Sequence, residues 1–357
     1  MARFRISDVT PNWFAAVMGT GIVATAAAAL PLQVPGLRPA AIVVWMAASA
    51  LLVFLVTTAV LHATRHGGRA RQHHLDPVMA HFYGAPPMAF LTVGAGALLL
   101  GKDVIGTPAA VTLDAILWTI GTIGGLASAV IVPYLAFTRH ENAADAAFGG
   151  WLMPVAPPMV SAATGALLLP YVPSGQPRET LLLACLAMFG LSLLASIIII
   201  AQLWQRLAVH HVGPDRLVPT LWIVLGPLGQ SITAVTLLAA HADGALSPSL
   251  ARALAGFAVL YGTAMLGFAL LWLSVAALIT IRTARRGMPF SLTWWSFVFP
   301  IGTCVTGTAG LAAQTGNAAV GALSVALFVL LIGAWTTVGA QTVYANVPPR
   351  LRPSLAR

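Results

Sequence analysis

Ser296, Phe299, Thr303 and Thr306 follow one another at intervals of three, four and three residues, a spacing that lays three hydroxyls and one phenyl ring along a single helical face. Other segments of the chain offer matching layers: Gly21, Ser161 and Gln230 correspond to Thr303, and Ala24, Thr164 and Thr233 correspond to Thr306. In the segment that starts at His81, adjacent Pro86 and Pro87 leave the register open, so either Phe90 or Thr92 faces the same way. Small and hydroxylated side chains on a shared stripe make a narrow, weakly polar, uncharged lining; the same residues also suit close helix packing. Cation pathways carry Asp or Glu within the span. Here Asp76, Asp103, Glu141, Asp145, Glu179, Asp215 and Asp243 fall in or beside connections, and Asp114 lies near the start of the fourth predicted helix. Hydroxyls, the Gln230 amide and backbone N–H groups at helix breaks therefore suit an anion or a neutral solute. Phe299, one residue before Pro300, is a candidate apolar plug that closes a narrow tube by excluding hydration water, against the commoner role of a membrane phenylalanine in ordinary packing.

The remaining reactive side chains are less organised. His62, His66, His73, His74 and His81 lie within 20 residues of one another, and His140, His210 and His211 share their side of the membrane in the topology derived below. His62 and His66 fall on one helical face, but no third ligand follows at a metal-binding spacing, so no metal site is expected. His81 is the candidate proton sensor, because imidazole titrates near neutral pH. Cys185 and Cys304 both sit in apolar runs, which leaves neither a disulfide framework nor a thiolate metal site. The patterns of phosphate-binding loops, dinucleotide folds, zinc peptidases and hydrolase nucleophile elbows are absent, so neither a cofactor nor enzymatic activity is expected.

Positioning such a lining is the task of a membrane fold. Of the 357 residues 59% are apolar and 8% charged, and the mean hydropathy is +0.89, whereas an ordinary soluble domain carries roughly 25% charged residues. Apolar runs of about 20 residues, the length that crosses a ~30 Å hydrocarbon core, recur from end to end. They predict an all-α polytopic membrane protein forming a single transmembrane domain over 1–357. Ten spans are expected at about 10–30, 40–62, 78–100, 107–132, 148–170, 181–207, 217–240, 252–281, 290–312 and 317–344. The first run reads as a retained span and not as a cleaved signal peptide.

The odd-numbered spans repeat. NWFAAVMGTGIVATA from Asn12, HFYGAPPMAFLTVGA from His81, LMPVAPPMVSAATGA from Leu152, TLWIVLGPLGQSITA from Thr220 and TWWSFVFPIGTCVTG from Thr293 align so that Met18, Pro87, Pro158, Pro227 and Pro300 take matching places. These are 69, 71, 69 and 73 residues apart. The chain thus reads as five hairpins of like orientation, each a broken helix followed by a plain one. A proline within a span removes a backbone donor and clashes with a carbonyl one turn back, so Pro87, Pro158, Pro227 and Pro300 predict kinks. Backbone freed at that depth is tolerated only against protein or a watery cavity, which places five kinked helices inside and five unbroken ones outside. With both termini cytoplasmic, the 18 Lys and Arg divide 14 to 4, only Arg38, Lys102, Arg178 and Arg252 falling on the far side. The net charge of +9 is scattered over short connections without an aromatic-interleaved basic patch, so nucleic acid is not an expected partner.

Two segments, NWFAAVMGTGI near Trp13 and TWWSFVFPIGT around Phe299, resemble the tellurite-resistance/dicarboxylate transporter family, as does the fivefold hairpin repeat. That family includes slow-type anion channels, malic-acid permeases and sulfite exporters. The resemblance runs from Asn12 to the end of the tenth span. It implies a homotrimer in which each protomer has its own pore of five inner helices, closed by a phenylalanine that matches Phe299. The implied substrates are small anions: C4-dicarboxylates such as malate, sulfite, nitrate, chloride and oxyanions of tellurium. The MGTGI wording leans toward the permease and sulfite-exporter branch. The long soluble termini through which kinases regulate the plant channels have no counterpart here, so control of that kind is not expected. The expectation is transport of a small anion across a bacterial inner membrane, channel-like or carrier-like, with lipid as the surrounding partner. Two alternatives stand beside it: a proton-coupled C4-dicarboxylate symporter that depends on His81, and a membrane sensor or assembly factor that transports nothing.

Overall fold

The computed structural model describes residues 9–346, apart from the side chains of residues 69–71. Arg3, Arg5, Arg350, Arg352 and Arg357, counted above among the cytoplasmic cations, lie outside the described residues. The α-helices in chain order are α1 (Phe14–Ala29), α2 (Leu37–Arg65), α3 (Gly67–Leu75), α4 (Ala85–Gly96), α5 (Lys102–Ile105), α6 (Thr107–Thr138), α7 (Pro157–Leu168), α8 (Gln176–His210), α9 (Leu225–Ala240), α10 (Pro248–Ala284), α11 (Val298–Thr315) and α12 (Ala318–Asn346). The protein is an all-α polytopic membrane protein, with nine helical stretches among the described residues long and apolar enough to span a bilayer. The predicted span at 148–170 differs from the rest. It consists of the 3₁₀ turn Gly149–Leu152, the 12-residue α7 and the 3₁₀ turn Leu169–Tyr171. Pro154, Pro157 and Pro158 remove backbone donors in close succession, so one continuous helix cannot form there.

Burial sorts the helices into two layers. The stretches Pro11–Ala29, Met79–Ile105, Asp215–Ala240 and Leu292–Thr315 have between 67% and 83% of their apolar windows buried, and every residue of α7 except Leu167 is buried. The windows of α2, α6, α8, α10 and α12 are only 22–33% buried. Large apolar side chains on these five helices, among them Val53, Ile123, Leu194, Leu260 and Val329, stay exposed. A water-facing surface would not carry them; lipid solvates them without penalty.

The inner layer closes on itself. α1 packs on α4, α4 on α7, α7 on α9, α9 on α11, and α11 returns to α1, while diagonal pairs make no comparable contact among the described residues. Each outer helix wedges into the groove between its own inner helix and the next: α2 between α1 and α4, α6 between α4 and α7, α8 between α7 and α9, α10 between α9 and α11, and α12 between α11 and α1. Close approach uses small residues. A Cβ added at Gly302 would lie 2.5 Å from Ile22 Cγ1, and one at Gly229 would lie 2.5 Å from the Cys304 nitrogen.

The turns that join inner to outer helices repeat as well. Gly36, Gly106, Gly175, Gly244 and Gly316 all have positive φ, between 66° and 90°, one in each hairpin. That conformation reverses the chain tightly enough for the outer helix to pack back on the inner one, and glycine adopts it without Cβ strain.

Candidate functional site

The first turn of each inner helix positions the central residues. α11 begins directly after the 3₁₀ stretch Leu292–Phe297, so Phe299 and Pro300 both lie in its first turn, where no intrahelical bond awaits the missing proline N–H. Pro87 follows the 3₁₀ stretch Met79–Gly84 in the first turn of α4, and Pro227 follows Asp215–Val224 in the first turn of α9. Pro158 is the second residue of α7. The expected proline kinks within continuous helices are thereby corrected. The break in each span is the passage into α winding, and the proline marks where that winding starts.

Two chambers lie on the axis of the ring. The smaller, about 30 Å³, is apolar and is bounded by Met18, Phe82, Met153, Trp295, Ser296 and Phe299 among others. The larger, about 270 Å³, is lined by threonines from every inner helix: Thr25, Thr92, Thr164 and Thr306 from one helix each, and Thr233 and Thr236 from α9. Phe299, Gln230 and Val160 border both chambers. Phe299 is only 5% exposed, so its ring stands at the junction of a space for about one water molecule and a space for a hydrated small solute. No residue lining either chamber is charged.

Several sequence-derived lining positions face elsewhere. Gly21 is turned to α4, where an added Cβ would lie 2.7 Å from Thr92 Cγ2. Ser161 is fully buried against α6; its hydroxyl accepts a 3.0 Å bond from Thr122, and its carbonyl accepts one from Trp118 Nε1. Thr303 is fully buried and donates to the carbonyls of Leu225 and Pro300. Ser296, Phe299 and Thr306 do reach the chambers. The reason is helical phase: within α11 the seven residues from Phe299 to Thr306 return to within about 20° of the same direction, whereas Thr303 is turned about 40° away, toward α9. Of the Phe90 and Thr92 alternatives, Thr92 lines the chamber and Phe90 faces a lateral groove beside α6. Thr25 is not among the sequence-derived candidates. The signal for it exists: aligning on Gly19 and Pro86 in place of Met18 and Pro87 brings Thr25, Thr92, Thr164, Thr233 and Thr306 into one column.

The threonine hydroxyls are committed to the helices that carry them. Thr92 donates to the Met88 carbonyl at 2.7 Å, Thr164 to that of Val160 at 2.9 Å, and Thr306 to that of Thr303 at 3.1 Å. Thr233 and Thr306 also share a 2.7 Å hydroxyl–hydroxyl bond. A passing anion obtains such a donor only when the hydroxyl releases its carbonyl, so each site binds weakly. Gln230, 5% exposed, leaves its Oε1 without a hydrogen-bond partner among the described residues.

His81 does not line either chamber. It is 4% exposed in the stretch that leads into α4, its Nδ1 lies 2.9 Å from the Pro77 carbonyl oxygen, and its ring stacks on Trp151 at a centroid distance of 6.0 Å. His62 stacks on His66 and on His73 at 5.7 and 5.6 Å. Partial burial holds the rings of His73 and His74 below the usual histidine range, and for His73 the neighbouring His62 and His74 add to that displacement. Among the described residues no group of three or more His, Cys, Asp or Glu side chains converges on a metal position.

A lipid-facing outer layer around a closed inner ring, with uncharged chambers strung along the ring axis, defines a helical membrane channel or transporter. Over residues 8–343 the chain matches the family model described as voltage-dependent anion channel (SLAC1), and it belongs to that family. It is 26% identical over 353 residues to the sulfite efflux pump SSU1 of Arthroderma otae, covering 97% of this chain and 93% of that one. It is 27% identical over 301 residues to an uncharacterized transporter of Methanocaldococcus jannaschii, covering 84% and 82%. The family is one of anion channels and transporters, not of enzymes.

Proposed function

We propose that the chain carries a small mono- or dianion, with sulfite and C4-dicarboxylates such as malate as the leading substrates, along the axis of its inner ring, and that Phe299 is the gate. One observation carries the reading: a phenyl ring stands between a chamber for about one water and a chamber lined by threonines from all five inner helices, with no charged side chain in either. Dewetting of the small apolar chamber closes the path, and displacement of the ring lets a hydrated anion reach the hydroxyls. Thr164, Gln230, Thr233, Ser296 and Thr306, joined by Thr25 and Thr92, form its lining in this reading, while Gly21, Ser161 and Thr303 hold the ring of helices together. Weak, exchangeable hydroxyl donors suit conduction, which requires that an anion leave as readily as it enters.

Sulfite is favoured among the substrates because relatives along nearly the whole chain are named sulfite efflux pumps. The distribution of Lys and Arg supports cytoplasmic termini in a bacterial inner membrane. The resemblance of the Phe299 and Trp13 segments supports a homotrimer with one pathway per protomer. Flux of chloride, nitrate, sulfite and malate into liposomes containing the purified chain tests the proposal, with and without a pH gradient. Saturable or channel-like flux of one or more of these anions is expected, and absence of flux for all four would overturn sulfite and malate as the substrates. Flux that requires the pH gradient and is lost in His81→Gln would establish the proton-coupled alternative instead.

A further inference from the structure

The outer layer holds a second concave site, away from the ring axis. A cleft of about 530 Å³ opens where the C-terminal ends of α8 and α10 diverge over the stretch Asp215–Val224. Its floor is aromatic. Trp272 is 1% exposed and is locked by a 2.8 Å bond from its Nε1 to the Leu221 carbonyl, while Trp204, half exposed, lies beside it at a ring distance of 6.0 Å. Leu207 and Ile279 continue the apolar wall. Arg282, in the last turn of α10, and Arg286, in the turn just beyond its end, are exposed and form the rim. His211 and Asp215 complete it, yet Asp215 lies beyond ion-pair distance of both arginines, because the only ion pair among the described residues joins Arg38 to Asp103.

We infer that this cleft binds an anionic phospholipid, its phosphate against Arg282 and Arg286 and its acyl chains along Trp204, Leu207 and Ile279. The position is at the membrane boundary, at the ends of two lipid-facing helices, where tryptophan and arginine meet headgroups. Guanidiniums without carboxylate partners call for an anion, and a tryptophan-floored apolar wall calls for hydrocarbon. A phospholipid supplies both from one molecule. A second copy of the chain fits poorly, since it would bring a further net charge of +9 and few carboxylates to a basic rim.

The test uses the full-length chain in detergent, with lipid binding followed by native mass spectrometry and by the shift in melting temperature. Dioleoylphosphatidylglycerol is expected to bind and to raise the melting temperature, and dioleoylphosphatidylcholine to do so markedly less. The double variant R282A/R286A is expected to bind phosphatidylglycerol roughly thirtyfold more weakly, the loss of two surface cations, with a much smaller loss for phosphatidylcholine, whose choline offsets the phosphate charge. R282K/R286K is expected to retain most of the affinity, which separates charge from packing. Equal affinity for the two lipids, or wild-type affinity for phosphatidylglycerol in R282A/R286A, would overturn the inference. Protection by inorganic phosphate equal to that by phosphatidylglycerol would overturn it in favour of a free-anion site. Loss of phosphatidylglycerol binding as the chain assembles into oligomers would assign the cleft to a second copy.

Discussion

Thr233 on α9 and Thr306 on α11 hold their hydroxyl oxygens 2.7 Å apart on the wall of the larger chamber, in the same pair of helices whose backbones close over Gly229. Close packing and polar lining are therefore produced by one helix pair. Glycine lets the backbones meet, and the threonines one turn further on turn their hydroxyls to each other and to the chamber.

Replacement of Phe299 should raise anion flux. With Phe299→Ala the phenyl ring no longer separates the chambers, and flux in liposomes is expected to rise at least about tenfold, equivalent to ~1.4 kcal/mol off the barrier. Phe299→Leu, still apolar and bulky, should stay close to wild type. Unchanged flux in Phe299→Ala would remove this residue from the gate.

The hydroxyl of Thr306 should matter for transport more than for folding. In Thr306→Val the shape is kept and Thr233 retains its 3.1 Å bond to the Gly229 carbonyl, so the stability change should stay within about 1 kcal/mol. Flux should fall severalfold because one donor is lost from the lining. Melting temperature and initial flux rate, measured on one preparation, separate the two effects.

Two glycines in the 3₁₀ stretches ahead of the inner helices should tolerate no side chain. A Cβ on Gly84 would collide with the Met153 carbonyl, and one on Gly149 with the Thr220 carbonyl; backbone atoms cannot rotate away as a side chain can. Gly84→Ala and Gly149→Ala are expected to lose about 3 kcal/mol or more and to fail purification as monodisperse protein. Gly190→Ala, on α8 with no neighbour within 4 Å, is the control and should purify normally.

The histidine helix α3 should loosen in acid. His74 stacks on Tyr83 at 4.4 Å and lies 3.2 Å from its hydroxyl, and partial burial lowers the pKa of this ring. The folded arrangement thus favours neutral imidazole: its contribution is complete above the unfolded value of about 6.5 and diminishes as pH falls below it and through the lower folded value. Hydrogen exchange of 67–75, corrected for intrinsic rates, should accelerate between pH 7 and pH 5, and H73Q/H74Q should flatten the profile. An unchanged profile in that variant would show that other groups govern the segment.

How much of the site could be read from residues alone differs from helix to helix. For α9 and α11 the proline register puts Thr233 and Thr306 in one layer, and both border the larger chamber, because in both helices the proline falls at the same point of the first turn. For α1, which has no proline at the aligned position, the register slips by one residue and Thr25 is missed. Thr303 and Ser161 were plausible from spacing and are excluded only by the direction in which their helices are wound.

Hydropathy and a period near seventy residues suffice, without coordinates, for a membrane protein of repeated hairpins with the broken helices inside, since lipid solvation and backbone satisfaction act on each segment separately. Which member of each neighbouring pair borders the chambers depends on tertiary packing. At the starts of α1, α4, α9 and α11 a 3₁₀ stretch passes directly into α winding and shifts the phase of the side chains, and glycine-to-backbone contacts between neighbouring helices hold that phase in place.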